Sequence, residues 1–134
     1  MTSIQRLRKA ALDRLKAVGA ELAAPLLLLF KNDVEVGPDT EFVDLEEADF
    51  DGYARPAALA FGASFQNVDD EWEIDAPSSL FIASGDTTPN TIYGWAIVTA
   101  AGDNLLIAER LEEPVAIVAT FDGLTVQPRF IYGR

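Results

Sequence analysis

The first 24 residues repeat apolar side chains at the spacing of an α-helix. Six apolar positions from Ile4 to Leu22 follow one another at steps of three or four residues, with a mean of 3.6. Pro25 ends this pattern, because proline cannot continue the hydrogen bonding of a helix interior. The spacing predicts an amphipathic helical arm over residues 1–24.

One face of the predicted helix is the candidate interface of this chain. The helix can pack on its own domain, project as an arm or into an oligomer bundle, or lie on a membrane surface, and the pattern leaves these alternatives open. The residues expected at the interface are Ile4, Leu7, Arg8, Ala11, Leu15, Val18 and Leu22.

After Pro25 the pattern changes to short apolar segments separated by turn residues. Leu26–Phe30 is a continuous apolar run, which is typical of a strand buried on both faces. Trp72 and Ile74 alternate with acidic residues, which is the pattern of a half-buried strand. This part of the chain therefore predicts β-structure.

The C-terminal third has the clearest strand pattern. Thr91–Ala100 and Leu105–Leu111 flank a glycine-containing turn and predict a hairpin. Val115–Phe121 and Leu124–Tyr132 flank Asp122-Gly123, a dipeptide that favours tight hairpin turns, and predict a second one.

The length and the strand count together predict the fold class. The chain has 134 residues, the size of one domain, and 49% of them are hydrophobic, enough for one core without disulfides. Seven or eight predicted strands with regular turns indicate a mainly β protein. We expect an antiparallel β-sandwich or jelly-roll-like domain over residues 25–134, preceded by the N-terminal amphipathic α-helix.

The residue types present restrict the chemistry that the chain can perform. It contains no cysteine and no histidine, which removes the thiolate nucleophile, the imidazole base and the usual zinc ligands. The glycines lack the spacing of a phosphate-binding loop. We therefore expect no enzymatic activity, no cofactor and no metal site, although paired carboxylates leave a small hydrolase as one alternative.

Charge is divided unevenly between the two parts of the chain. Residues 1–16 carry five basic side chains and one acidic side chain, whereas residues 17–134 carry five basic and 21 acidic ones. The body of the protein should therefore repel nucleic acid and anionic membranes. No segment reaches about 18 uninterrupted apolar residues, so we expect no membrane span, and the N-terminus lacks the pattern of a signal peptide.

Acidic residues are concentrated between Asp33 and Asp75, where 14 of them accompany a single basic residue, Arg55. The segment from Glu47 to Gly52 resembles a calcium loop, but Ala58 stands where an EF-hand needs its bidentate glutamate. A solvated acidic face is one interpretation. The alternative is a nonstandard calcium site built from Asp49, Asp51, Asp69 or Asp70.

Several aromatic residues are candidates either for core packing or for stacking on a sugar ring. Their positions within strand patterns favour core packing, and the sequence does not indicate which rings are exposed. They are Phe61, Phe65, Trp72, Phe81, Tyr93 and Trp95.

Four short segments together resemble small accessory structural proteins of tailed bacteriophages, of the kind that form the head and other parts of the virion. The resemblance extends over about residues 26–130 and excludes the predicted helix. The segments are Leu29-Phe30-Lys31-Asn32-Asp33, Ala48-Asp49-Phe50-Asp51-Gly52-Tyr53-Ala54, Ile92-Tyr93-Gly94-Trp95 and Leu106-Ile107-Ala108-Glu109-Arg110.

This resemblance implies a non-enzymatic virion component, and a capsid decoration (cement) protein is the first hypothesis. Its partners would be the phage major capsid protein and further copies of itself, and we expect a trimer. Its location would be the capsid surface. The second hypothesis is a glycan-binding β module associated with a tail fibre or baseplate. The hydrolase with paired carboxylates is the third.

Overall fold

The computed structural model describes residues 3–7, 25–57, 59–62, 65–85, 89–99 and 104–132. Within these ranges the chain forms nine strands and one short 3₁₀ turn, Phe42–Asp44. The predicted mainly β class is therefore confirmed. The strands are β1 (Ser3–Leu7), β2 (Leu26–Phe30), β3 (Phe65–Gln66), β4 (Trp72–Asp75), β5 (Ser79–Ile82), β6 (Asn90–Val98), β7 (Leu105–Ile117), β8 (Gly123–Val126) and β9 (Pro128–Tyr132).

The strands form three sheets. One has four strands in the order β1-β9-β4-β3, the second has the order β2-β6-β7, and the third pairs β5 with β8. Neighbouring strands are antiparallel, as predicted, except that β1 runs parallel to β9. Within the described ranges no helix is long and apolar enough to cross a membrane.

The predicted N-terminal helix is wrong over Ser3–Leu7, because these residues form strand β1. β1 lies along β9 with Ile4 opposite Arg129 and Leu7 opposite Tyr132. The apolar period of a segment is a local signal, and pairing with a distant strand can override it. The remainder of the predicted helical arm, residues 8–24, lies outside the described residues.

Strand β2 is buried on both faces, as its apolar run predicted. Leu27 and Leu29 of β2 point into the main core, whereas Leu28 and Phe30 point into a second cluster on the opposite face. That second face is covered by the loop that carries Val34, Val36, Phe42 and Leu45. Strand β2 therefore needs an apolar side chain at every position.

The main core is shared by all three sheets. Trp95 of β6 packs edge-on against Phe130 of β9, with ring centroids 6.2 Å apart. Phe81 of β5 and Leu124 of β8 are register partners and are buried in the same cluster. Because one apolar cluster joins every sheet, the three sheets stabilise one another.

Gly94 permits the close approach of two neighbouring strands and an aromatic ring. It is opposite Phe30 in β2 and opposite Arg110 in β7. A Cβ atom at position 94 would overlap the Phe30 ring and the carbonyl oxygen of Glu109. Glycine is therefore required by packing at this position, and not by backbone conformation.

The C-terminal strands follow the predicted pattern only in part. The β6–β7 antiparallel pair is confirmed, and β7 continues as one irregular strand through the segment predicted to begin at Val115. The second predicted hairpin is wrong, because β8 pairs with β5 and not with β7. Gln127 then separates β8 from β9, which pairs with β4 in a different sheet.

Candidate functional site

A pair of carboxylates on β4 is the arrangement closest to an acid–base site. Glu73 and Asp75 are two residues apart on one strand and therefore lie on one face of it. Arg129 of β9 donates from Nε and Nη2 to Oε2 of Glu73, at 3.2 and 3.0 Å, and its Nε lies 3.5 Å from Oδ1 of Asp75. Asn67 donates to the other oxygen of Glu73 at 3.2 Å.

The pKa values of these two carboxyl groups shift in opposite directions. Burial disfavours ionisation of Glu73, but hydrogen bonds from Asp75, Arg129 and Asn67 outweigh it and hold its pKa below the usual value. Burial, together with the adjacent Glu73, raises the pKa of Asp75. Such a split is typical of an acid and base pair, and it also arises in structural ion clusters.

The geometry around Glu73 favours a structural role. Only 1% of its surface is exposed, and both of its oxygens accept hydrogen bonds from neighbouring side chains. A substrate therefore has no free oxygen of Glu73 to meet. The cluster instead joins β9 to β4 and to the turn at Asn67. Sequence reasoning missed this cluster, because the alternating pattern of a strand does not indicate that one of its glutamates is buried.

A second ionic cluster joins β2 to the loops that follow it. Arg55 forms a bidentate pair with Glu47, at 2.9 and 2.8 Å, and the Tyr53 hydroxyl donates to Glu47 at 2.6 Å. The backbone N–H of Leu29 donates to the same hydroxyl at 3.2 Å. Burial and the carboxylate of Glu47 raise the pKa of Tyr53, so the ring stays neutral and acts as a hydrogen-bonding bridge.

The residues considered for a calcium site do not form one within the described part of the chain, where no group of three or more acidic side chains could hold a metal ion. Asp49 instead pairs with Lys31 at 2.9 Å and accepts a hydrogen bond from Asn90 at 2.9 Å. Asp69 and Asp70 belong to the turn between β3 and β4, where the Asn67 side chain accepts the N–H of Asp69.

The predicted aromatic candidates divide into buried and exposed rings. Trp95 has no exposed surface and Phe81 is buried, so the core-packing interpretation is confirmed for both. Tyr93 and Phe61 are half-buried. Phe65 and Trp72 are exposed, Trp72 by 44%. Of the two tryptophans, only Trp72 is accessible for stacking on a sugar ring.

Four exposed apolar side chains lie on the β5–β8 sheet and on the turn that precedes β8. Leu80 and Ile82 alternate with buried Phe81 on β5, and both are exposed, Leu80 by 67%. Val118 and Phe121 belong to the turn, and Phe121 is 79% exposed. We call these four residues the Phe121 surface.

The turn that carries Phe121 is held by hydrogen bonds to β5 and within itself. The N–H of Phe121 donates to the carbonyl of Ala83 at 2.9 Å, and the N–H of Ala83 donates to the carbonyl of Asp122 at 2.8 Å. The Asp122 carboxylate accepts the N–H groups of Val118 and Ala119, both at 3.0 Å. The aromatic ring is therefore presented on a fixed backbone. Sequence reasoning placed Phe121 at the end of a strand and missed this surface.

The predicted interface residues are only partly described by the structure. Ile4 and Leu7 lie on β1, where their backbones pair with Arg129 and Tyr132 of β9. The other five, Arg8, Ala11, Leu15, Val18 and Leu22, lie outside the described residues. The predicted interface along one helical face stays a prediction for those five positions.

The four segments that carry the resemblance to phage proteins meet around the β2-β6-β7 sheet. Phe30 is opposite Gly94, and Gly94 is opposite Arg110. The N–H of Ala48 donates to the carbonyl of Leu29 at 3.0 Å. These segments are therefore neighbours in the fold, and they do not include the Phe121 surface.

No family model, no curated protein and no solved structure matches this chain. The resemblance to phage accessory proteins, and the role that it implies, stay a prediction from the sequence.

Proposed function

We propose that the chain is a non-enzymatic structural protein of a tailed-bacteriophage virion and decorates the outside of the capsid as a homo-oligomer. The observation that carries the proposal is an exposed apolar surface on a compact, strongly acidic β domain. Such a patch on an otherwise charged domain is typical of a protein–protein contact. The partner that we propose is the major capsid protein, which follows from the resemblance of the sequence to phage accessory proteins.

The finer arrangement that we propose is a β-sandwich-like body, because the three sheets enclose one shared apolar core. A layered body of this kind offers surfaces for docking on a shell. Its negative charge would keep free copies apart until they bind. A trimer at a threefold position of the shell is the oligomer that we expect.

The proposal is tested on virions of the phage, or induced prophage, whose genome encodes the chain. Mass spectrometry of gradient-purified particles should detect the protein at a copy number set by the capsid symmetry. When purified protein is added to particles that lack it, it should co-sediment with them, and the bound amount should saturate as the protein concentration rises. Absence of the chain from purified virions, together with no binding to the shells, would contradict the proposal.

A second candidate function, a glycan-binding module of a tail fibre or baseplate, is favoured by one observation. Trp72 is exposed on the β3–β4 hairpin, whose turn also carries Asn67. An exposed indole beside polar side chains suits stacking on a sugar ring. Glycan-array binding by the wild type that disappears in Trp72→Ala, with tail-associated protein in virions, would favour this function over the first.

A further inference from the structure

We infer that the Phe121 surface, and not the predicted N-terminal arm, is the face that docks on the capsid shell; this inference rests on the proposed function. The described residues include eight large apolar side chains that are exposed. Four of them are the members of this surface, whereas the others are on the β3–β4 hairpin or at Val43. Half of the exposed large apolar side chains among the described residues therefore belong to the Phe121 surface, and three more lie on the β3–β4 hairpin.

The backbone of Phe121 indicates that the ring serves a purpose other than folding. Phe121 has a φ of 71°, in the left-handed region that glycine and asparagine tolerate far better than an aromatic residue. Its ring is largely exposed, so core packing does not compensate for the strain. Residues held in such conformations are enriched at binding sites, where the surrounding structure fixes the geometry.

The chemistry of this surface matches an interface anchor. Aromatic side chains dominate the binding energy of protein interfaces when they enter an apolar pocket on the partner. Here Leu80 and Ile82 lie along β5, and the backbone of Phe121 is hydrogen bonded to Ala83, directly after Ile82. An exposed aromatic ring on a backbone that is hydrogen bonded to the end of β5, the strand that carries two exposed aliphatic side chains, fits an apolar depression on the partner.

The size of the surface argues against a simple dimer of this chain. The surface comprises four side chains, and the largest apolar patch on a typical monomer covers only about 300–600 Å². A stable interface between two proteins buries about 800 Å² on each partner. A contact of this size is weak alone, but it becomes tight when an oligomer engages several repeated sites on a shell at once.

The charge of the domain argues for a partner with a basic rim. Residues 17–134 carry 21 acidic and five basic side chains, so a second copy would bring like charge to the contact. Asp122 lies in the same turn, and the carbonyl of Asp51 accepts the N–H of Ser84, two residues after Ile82. The partner site that we propose is an apolar depression on the major capsid protein, with lysine or arginine side chains at its rim.

The test measures binding of purified protein to empty shells assembled from the major capsid protein of the encoding phage. Phe121→Asn removes the ring and places a residue that tolerates positive φ, so the fold is retained. We expect it to weaken shell binding at least tenfold, and we expect Leu80→Ser to weaken binding as well. The matched control is Val43→Ser, which removes an apolar side chain that is 80% exposed elsewhere; it should bind like the wild type.

The outcomes separate this inference from the function that it depends on. If the wild type does not bind shells, both the inference about the docking face and the proposed function fail. If the wild type binds and Phe121→Asn binds equally well, the docking face lies elsewhere and only the inference fails. A Phe121→Asn variant that changes the subunit count in light scattering but keeps its shell affinity would assign the surface to a second copy, and would also overturn the inference.

Discussion

Glu109 and Trp95 are register partners on neighbouring strands, and each keeps a buried polar atom without a hydrogen-bond partner among the described residues. The atoms are Oε2 of Glu109 and Nε1 of Trp95. Both side chains project to the same face of the sheet, where Trp95 is packed in the main core. Burial raises the pKa of Glu109 to about 7, because no described cation compensates its charge.

This raised pKa predicts a stability change between mildly acidic and neutral pH. The carboxyl group binds its proton more tightly in the folded state than in the unfolded state, where its pKa is near 4.5, the ordinary value for glutamate. Its contribution to stability is therefore complete below about pH 4.5 and is lost as the pH rises through 7. Because Glu109 is only half-buried, we expect about 2 kcal/mol for this loss.

Glu109→Gln should remove that part of the pH dependence. The free energy of unfolding, measured in urea at pH 5 and pH 8, should differ less between the two pH values in the variant than in the wild type. Glu112→Gln is the matched control, because Glu112 is exposed on the same strand. An unchanged difference in Glu109→Gln would show that this carboxyl does not titrate in the range.

Gly94→Ala should destabilise the protein by about 3 kcal/mol, because the new Cβ atom overlaps backbone as well as the Phe30 ring. The Glu109 carbonyl is part of the β6–β7 ladder and cannot move aside without breaking the pairing. Gly37→Ala is the control, since no atom lies within 4 Å of a Cβ built there. Equal urea midpoints for the two variants would contradict this packing argument.

Arg129→Met should be strongly destabilising because it leaves Glu73 buried without its cation. We expect a loss of about 3 kcal/mol at pH 7. The double variant Glu73→Met/Arg129→Met should recover most of this loss, because both charges are then absent. Urea unfolding of the wild type, both single variants and the double variant gives the interaction energy, and additive effects would argue against coupling.

Phe121→Asn should stabilise the fold, in contrast to its expected effect on docking. The variant relieves the left-handed strain at φ 71°, and the lost ring makes little core contact because it is largely exposed. We expect a gain of about 1 kcal/mol in the free energy of unfolding. Phe121→Ala also removes the ring, but alanine, unlike asparagine, has no side-chain group that can hydrogen bond to the local backbone. We therefore expect a smaller gain in the free energy of unfolding for Phe121→Ala than for Phe121→Asn. Equal gains in the two variants would show that the stabilisation comes from removal of the ring itself.

Sequence reasoning succeeded where one residue pattern had one physical solution. Leu26–Phe30 has no polar position, so the segment had to be buried on both faces, and it forms β2 between two apolar clusters. The alternation at Trp72–Asp75 correctly predicted strand β4, but Trp72, which the alternation placed on the buried face, is exposed. It did not reveal that Glu73 is buried, because the burial depends on Arg129, which lies 56 residues away in sequence.

The candidate docking surface was not accessible to the same reasoning. Phe121 follows an apolar segment and precedes Asp122-Gly123, so its local context suggested a strand that enters a hairpin. The turn instead leads into β8, whose partner β5 comes from an earlier part of the chain. The exposure of the Phe121 ring therefore depends on a pairing that its local sequence does not specify.

The sequence by itself determined the class of the domain, since composition and apolar periodicity are properties of the chain that any fold must satisfy. It also excluded thiol and imidazole chemistry, because those groups are absent. Only the tertiary structure decided that Ser3–Leu7 is a strand, that Glu73 is buried and that Phe121 is exposed. Each of these three features depends on which distant segments of the chain pair with one another. Because the free energy of strand pairing depends on contacts across the whole core, no short segment of the sequence specifies it.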